Sequence, residues 1–259
     1  MKYKDYNIEN FIMDDFFIQW VKCPNENNRH FWEKWLEQHP EKRETVMQAV
    51  TMINSIHYQD KAVMDAGKKS ILTLSDGSKV YLNSASEISY FSEFDDSLRV
   101  VKLSGEAFFK VQKEARPFVV ETEQTKIIVL GTSFNVNQQE NGALSVALMT
   151  GKVRIKDDKG QQMSLEPSEM IIRDKQGTIL KTSFDPLYIT GWKDKVLVFK
   201  RNSFQEVKEK VENWFGIKIK LQGKTDVKMT YSGIYKDENL ENVLSGIFLS
   251  SELTYQIKD

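Results

Sequence analysis

The side chains that could do chemistry in this chain are few, and their spacing does not bring them together. Cys23 is the single thiol, and His30, His39 and His57 are the only imidazoles. The hydroxyls around Gly131 have no histidine in their own stretch, so a Ser–His relay is not credible there. Asp95 and Asp96 are adjacent, and on a strand they point to opposite faces. Glu106 has no second carboxylate at a spacing that marks an acid–base pair. It reads instead as a strand-end carboxylate that accepts backbone N–H groups. A metal centre needs three or four converging ligands, which one cysteine and dispersed histidines do not supply. There is no phosphate loop, Gly-x-Ser-x-Gly elbow or zincin pair. The chain reads as a non-enzyme, with no metal and no cofactor.

Composition narrows the remaining classes. The 259 residues carry 36 basic and 37 acidic side chains, a formal net charge of −1. That balance offers no basic surface for nucleic acid. A 40% hydrophobic and 28% charged chain can bury a core and is not globally disordered. The N-terminus is polar with mixed charge, unlike a signal peptide. No window approaches the roughly 20 apolar residues of a membrane span, so the chain as written reads as soluble.

Three kinds of element would position any functional residue. Up to Ile56 the pattern is helical, with Phe11, Ile12, Phe16, Phe17 and Trp20 in a first segment ended by Cys23, Pro24 and Asn25. Phe31, Trp32, Trp35 and Leu36 mark a second segment. Val46, Met47, Val50, Ile53 and Ile56 form the apolar side of a third, entered through Pro40 and Glu41. Residues 59–69 read as a linker or strand lead-in. From Ser70 the period becomes two, opening with a hairpin at Asp76 and Gly77. Short strands follow at 88–91, 99–103, 107–111, 118–121, 127–129, 133–137, 144–148, 152–155, 162–165 and 170–174. Such a series predicts a sandwich, a barrel or a solenoid-like stack. Gly105, Pro117 and Gly131 are expected at turns, with Phe108, Phe118 and Phe134 in the core.

The last third reads strand, helix, strand, strand, helix, strand over 197–259. Ser203 is the expected N-cap of its first helix and Gly216 the stop. The predicted fold is therefore multidomain and mainly β: a small helical bundle (1–58), an antiparallel β-rich middle (70–183) and a βαββαβ module (184–259).

The middle stretch resembles the FecR family. The resemblance rests on the run from Leu74 to Asn83, which holds Asp76, Gly77 and Asn83, and on Arg99 to Leu103. It continues through Gly105, Glu106, Ala107, Phe108 and Phe109, then Arg116, Pro117 and Phe118, and Gly131 to Val136 with Phe134 and Asn135. The C-terminal module, with Phe204, Trp214, Phe215 and Tyr231, is similar to the secretin and TonB-receptor N-terminal-like domain of Bacteroidetes members. The head, with Trp32, Trp35, Leu36 and Pro40, resembles their sigma-factor-binding region.

The resemblance implies a transmembrane anti-sigma factor. Its head would hold an extracytoplasmic-function (ECF) sigma factor in the cytoplasm, through Trp20, Phe31, Trp32, Trp35 and Leu36. Its β-rich parts would stand in the periplasm, answering the signalling domain of a TonB-dependent outer-membrane transporter. It implies no direct contact with nucleic acid. The family places an inner-membrane helix between head and β domain, and this chain has only the polar run 57–69 there. A segment is therefore expected to be missing, with its junction near Lys61 to Met64. A second class of function is a β-rich carbohydrate-binding or scaffold module of the cell envelope, with Trp192 or Tyr90 as a stacking platform.

Overall fold

The computed structural model describes residues 2–22, 26–55, 60–94, 98–139, 141–222, 230–249 and 254–258. The expected break at Cys23, Pro24 and Asn25 lies outside them, as do Ile56, His57, Asp95, Asp96, Met229 and Leu253. Two compact units are present, one built on Met1–Gln59 and the other on Asp60–Phe94 with Arg99–Asp259.

The first unit holds helices α1 (Ile8–Ile12), α2 (Asp15–Lys22), α3 (Glu26–Gln38) and α4 (Arg43–Ser55), the last preceded by a 3-10 turn at Pro40–Lys42. The segment expected as one helix through Trp20 is two, and Asp14 is the reason. Its carboxylate accepts from Phe17 N at 3.0 Å, the bond of an N-cap, and pairs with Lys2 at 2.8 Å. Asn7 and Asn10 form a reciprocal capping box on α1. The unit closes on Phe11, Phe17, Trp32, Trp35, Val46, Ala49 and Ile53, all buried. On α4 the inward residues are Val46, Ala49 and Ile53, spaced for one helical face. Met47, expected on that face, is 59% exposed.

Strands β1 (Asp60–Met64), β2 (Ser70–Thr73), β3 (Lys79–Leu82) and β4 (Ser86–Tyr90) open the second unit. They are followed by β5 (Arg99–Lys110), β6 (Phe118–Glu121), β7 (Thr125–Val129), β8 (Ser133–Gln138) and β9 (Leu144–Thr150), then β10 (Val153–Asp157), β11 (Gln162–Leu165), β12 (Glu169–Arg173) and β13 (Ile179–Ser183). One sheet runs β1-β4-β5-β6-β7-β10-β11 and the other β2-β3-β5-β8-β9-β12-β13. The sheets share β5 and enclose one hydrophobic cluster, a sandwich rather than a stack of repeats. The junction expected near Lys61 to Met64 falls inside β1, whose five residues all pair with β4.

β5 corrects the sequence reading in two ways. Two strands were expected, split at Gly105, and one strand of 12 residues is found. Its residues up to Ser104 pair with β4, and those from Gly105 pair with β8. Gly105, with φ +88°, is thus the corner where the strand changes sheets rather than a turn. Its N-terminal part also lies parallel to β6, the one parallel pairing among the described strands. Phe109 and Phe134 stack in the core at 5.1 Å with Phe118 beside them. Phe108, expected there, is buried on the opposite side of its sheet against Tyr81. Gly131 has no positive φ; a Cβ there would lie 2.6 Å from Lys113 Cα, so close approach of two segments selects it.

The chain then passes through α5 (Pro186–Thr190) and a 3-10 turn at Gly191–Asp194. It continues as β14 (Val196–Ser203), α6 (Phe204–Phe215), β15 (Lys218–Gln222), β16 (Thr230–Lys236), α7 (Leu240–Phe248) and β17 (Thr254–Lys258). This is the expected βαββαβ order, divided into a β14–β16 pair and a β15–β17 pair over one cluster with α6 and α7. Ser203 and Glu206 form the capping box of α6, and Gly216 ends it at φ +70°.

Candidate partner-binding surfaces and the buried charges behind them

The charged motif residues of the sandwich are bonded to neighbouring side chains within it. Asp76 and Arg99 are both sealed from solvent and pair at 2.7 Å. The Asp76 carboxylate also accepts from Ser78 N and Ser78 Oγ, while Ser78 Oγ accepts from Gln112 N. Arg99 donates onward to the carbonyls of Gln112 and Arg116. One ion pair therefore fastens the β2–β3 turn to the segment between β5 and β6, with its remaining hydrogen-bonding capacity met.

Contrary to the sequence expectation, among the described residues the Glu106 carboxylate meets side-chain amides rather than backbone N–H groups. It accepts from Asn83 Nδ2 at 2.7 Å and Asn135 Nδ2 at 2.8 Å, which ties β5 to the loop after β3 and to β8. Burial pushes its carboxyl above the ordinary value, opposed by the amides of Asn135, Asn83 and Asn137 and by the charge of Lys210. Among the described residues no three His, Cys, Asp or Glu side chains converge on a possible metal position.

In the head, the five residues named from the sequence separate into two groups. Trp32 is fully buried and touches Phe11, Phe17, Trp20 and Trp35, while Trp35 is buried with His39 stacked on it at 4.4 Å. These two rings make the unit's core and present no face. Phe31 is 37% exposed, and Trp20 and Leu36 are half-buried. Phe31 rests edge-on against Trp32 and Phe16, so its outer surface is held in place by the rings beneath it.

In the C-terminal module β16 alternates along its length, and Ile234 is 63% exposed. Among the described residues β16 bonds only to β14, so its other edge is open. Of the stacking platforms considered above, Trp192 is buried, at 8% exposure, and Tyr90 is half-buried with part of its ring against the sandwich core. The sequence missed Arg99 as the partner of Asp76 and Asn83 as a partner of Glu106. Both are contacts between residues 23 apart, with no local pattern to reveal them.

The sequence profile of the FecR protein family matches residues 60–154, and that of the FecR C-terminal region matches residues 196–259. No curated protein sequence matches the chain. Two crystal structures of a proposed anti-sigma factor from Parabacteroides distasonis are similar to it at 32% identity. They superpose with TM-scores of 0.65 and 0.66, over 77% of this chain and 94% and 95% of theirs. The shared sandwich motifs, the C-terminal module and this identity over nearly the whole length of a relative lead to one assignment: the chain belongs to the FecR family of anti-sigma factors.

Proposed function

We propose that the head (1–58) holds an ECF sigma factor, and that the C-terminal module (184–259) answers the signalling domain of a TonB-dependent transporter. The β domain (70–183) stands between them as a scaffold. The observation that carries this reading is the head itself: a separate unit whose interior is saturated with aromatic rings and which still leaves Phe31 facing outward. A ring with one face packed and one face exposed is the usual form of an interface anchor. In this reading the head lies in the cytoplasm and the other two parts in the periplasm of a protein anchored in the inner membrane. Among the described residues no helix is long and apolar enough to cross a membrane. The membrane segment is assigned to the natural protein between head and β domain.

Co-purification of the full chain with an ECF sigma factor encoded beside it tests the assignment. Phe31→Ala should weaken capture about tenfold, equivalent to ~1.4 kcal/mol, and lower the thermal midpoint of the head only modestly, for its lost contacts with Trp32 and Phe16, so that the head still folds. Undiminished capture by a folded Phe31→Ala protein would refute the anchor role. Failure of the wild type to capture any such sigma factor would refute the function.

A further inference from the structure

The β1–β2 turn and the C-terminal end of α6 are fitted to each other. Gly67 N donates to Asn213 O at 3.1 Å, and Ser84 Oγ donates to the same carbonyl. That carbonyl lies in the last turn of α6, where helices leave oxygens without an internal partner. Here the donors come from the sandwich side, Gly67 in the turn between β1 and β2 and Ser84 just after β3. Lys69 Nζ stands 3.8 Å from the centre of the Trp214 ring. Lys193 Nζ lies 5.2 Å from the Phe108 ring, and Lys210 on α6 acts on the charge of Glu106.

Two glycines set the distance of approach. Gly67 and Gly216 both have positive φ, +79° and +70°. A Cβ on Gly67 would lie 2.7 Å from Gly216 N and 2.8 Å from the Phe215 carbonyl carbon. A Cβ on Gly216 would lie 2.5 Å from Ala66 O. The obstructing atoms are backbone, so neither position admits a side chain unless the two surfaces separate.

We propose that this contact is a fixed joint: the β domain and the C-terminal module move as one body, and displacement of the module is delivered through the joint to β1. β1 is suited to receive it. It runs directly into the docked turn at one end, begins where the head's sequence stops at the other, and bonds among the described residues only to β4. The direction of this relay, from module to head, rests on the function proposed above. The rigidity does not.

Distance measurement between spin labels tests the joint in the full chain. Cys23→Ser removes the native thiol, and Glu123→Cys in the β6–β7 turn with Glu241→Cys at the start of α7 places one exposed label on each part. The parent should give a single narrow distance distribution. Gly67→Ala should broaden it at least twofold, whereas Gly160→Ala, with the same left-handed strain (φ +80°) but nothing within 4 Å of its Cβ, should not. Lys69→Gln keeps both glycines, removes the cation from the Trp214 ring, and should broaden the distribution in the same sense. Hydrogen exchange reads the other end: amides of β1 should exchange at least tenfold faster in Gly67→Ala than in Gly160→Ala. A parent distribution that is already broad, or a Gly67→Ala distribution as narrow as the parent's, overturns the joint. Unchanged exchange in β1 overturns its delivery to that strand. Neither readout involves a sigma factor or a transporter, so a failed joint and a failed assignment of partners give different results.

Discussion

Glu106 is half-buried, and the hydrogen-bond partners of its carboxylate are neutral amides, a choice with a measurable consequence. Amide dipoles offset part of the desolvation, and its carboxyl still titrates above the ordinary 4.5. Because the folded carboxyl holds its proton more tightly than the unfolded one, its contribution to stability is full below the unfolded value. That contribution is lost as pH rises through the folded value. Glu106→Gln should abolish this contribution. The substitution is accommodated because Asn135 Oδ1 is buried without a partner, and turning that amide presents it to the new Gln amide. The variant should therefore gain stability relative to the wild type as pH is raised from 4 to 7, measured by urea midpoints across that range. A difference that stays constant with pH would show that Glu106 is not the group responsible. Asp76 makes the opposite choice, with Arg99 in direct contact and a full set of donors.

At the scale of elements, β5 decides the architecture, because one strand serves both sheets. The turn at Gly105 that the sequence suggests does not exist, yet the glycine is required for a different reason. Its Cβ would strike Ser86, whose Cα would be 2.8 Å away, at a φ that side chains avoid. Gly105→Ala should cost more than the ~1–3 kcal/mol of a strained backbone conformation alone. Gly142→Ala, at φ +85° in open space, provides the comparison by urea unfolding. Equal losses for the two would mean that Ser86 yields and the corner is not tightly packed. The hairpin at Gly77, the Ser203 cap and Gly216 stop of α6 and the order of the last six elements were legible because each is written in adjacent residues. The corner was not, since alternation of side chains resets across Gly105 as it does across a turn. The division of α1 from α2 was missed for a related reason: Asp14 lies in an apolar helical pattern, and its partner Lys2 is 12 residues away.

For the whole molecule, the two proposed binding ends differ in how much of them the sequence could disclose. In the head, an aromatic-rich composition announces both core and surface, and only the fold separates Trp32 from Phe31. In the C-terminal module the helix residues Val207, Val211 and Leu244 are buried, as their spacing predicts. What remains for a partner is β16, an alternating strand with an open edge among the described residues and Ile234 outward on its exposed side. A partner strand adding to that edge gains main-chain hydrogen bonds and takes its specificity from the alternate side chains. Lys236 already ends that row, and a second lysine at its centre replaces the apolar contact and opposes such pairing, as lysines do on natural sheet edges. Ile234→Lys should therefore leave the sigma factor restrained and abolish its release when the transporter is loaded. A sigma-dependent reporter in cells reads this as loss of induction with unchanged basal expression. Leu180→Lys places the same charge on an equally apolar, 59% exposed position of the β domain and should leave induction intact. Induction that survives Ile234→Lys would move the transporter's contact away from β16, and induction lost in both variants would point to the surface of the whole second unit rather than to one edge.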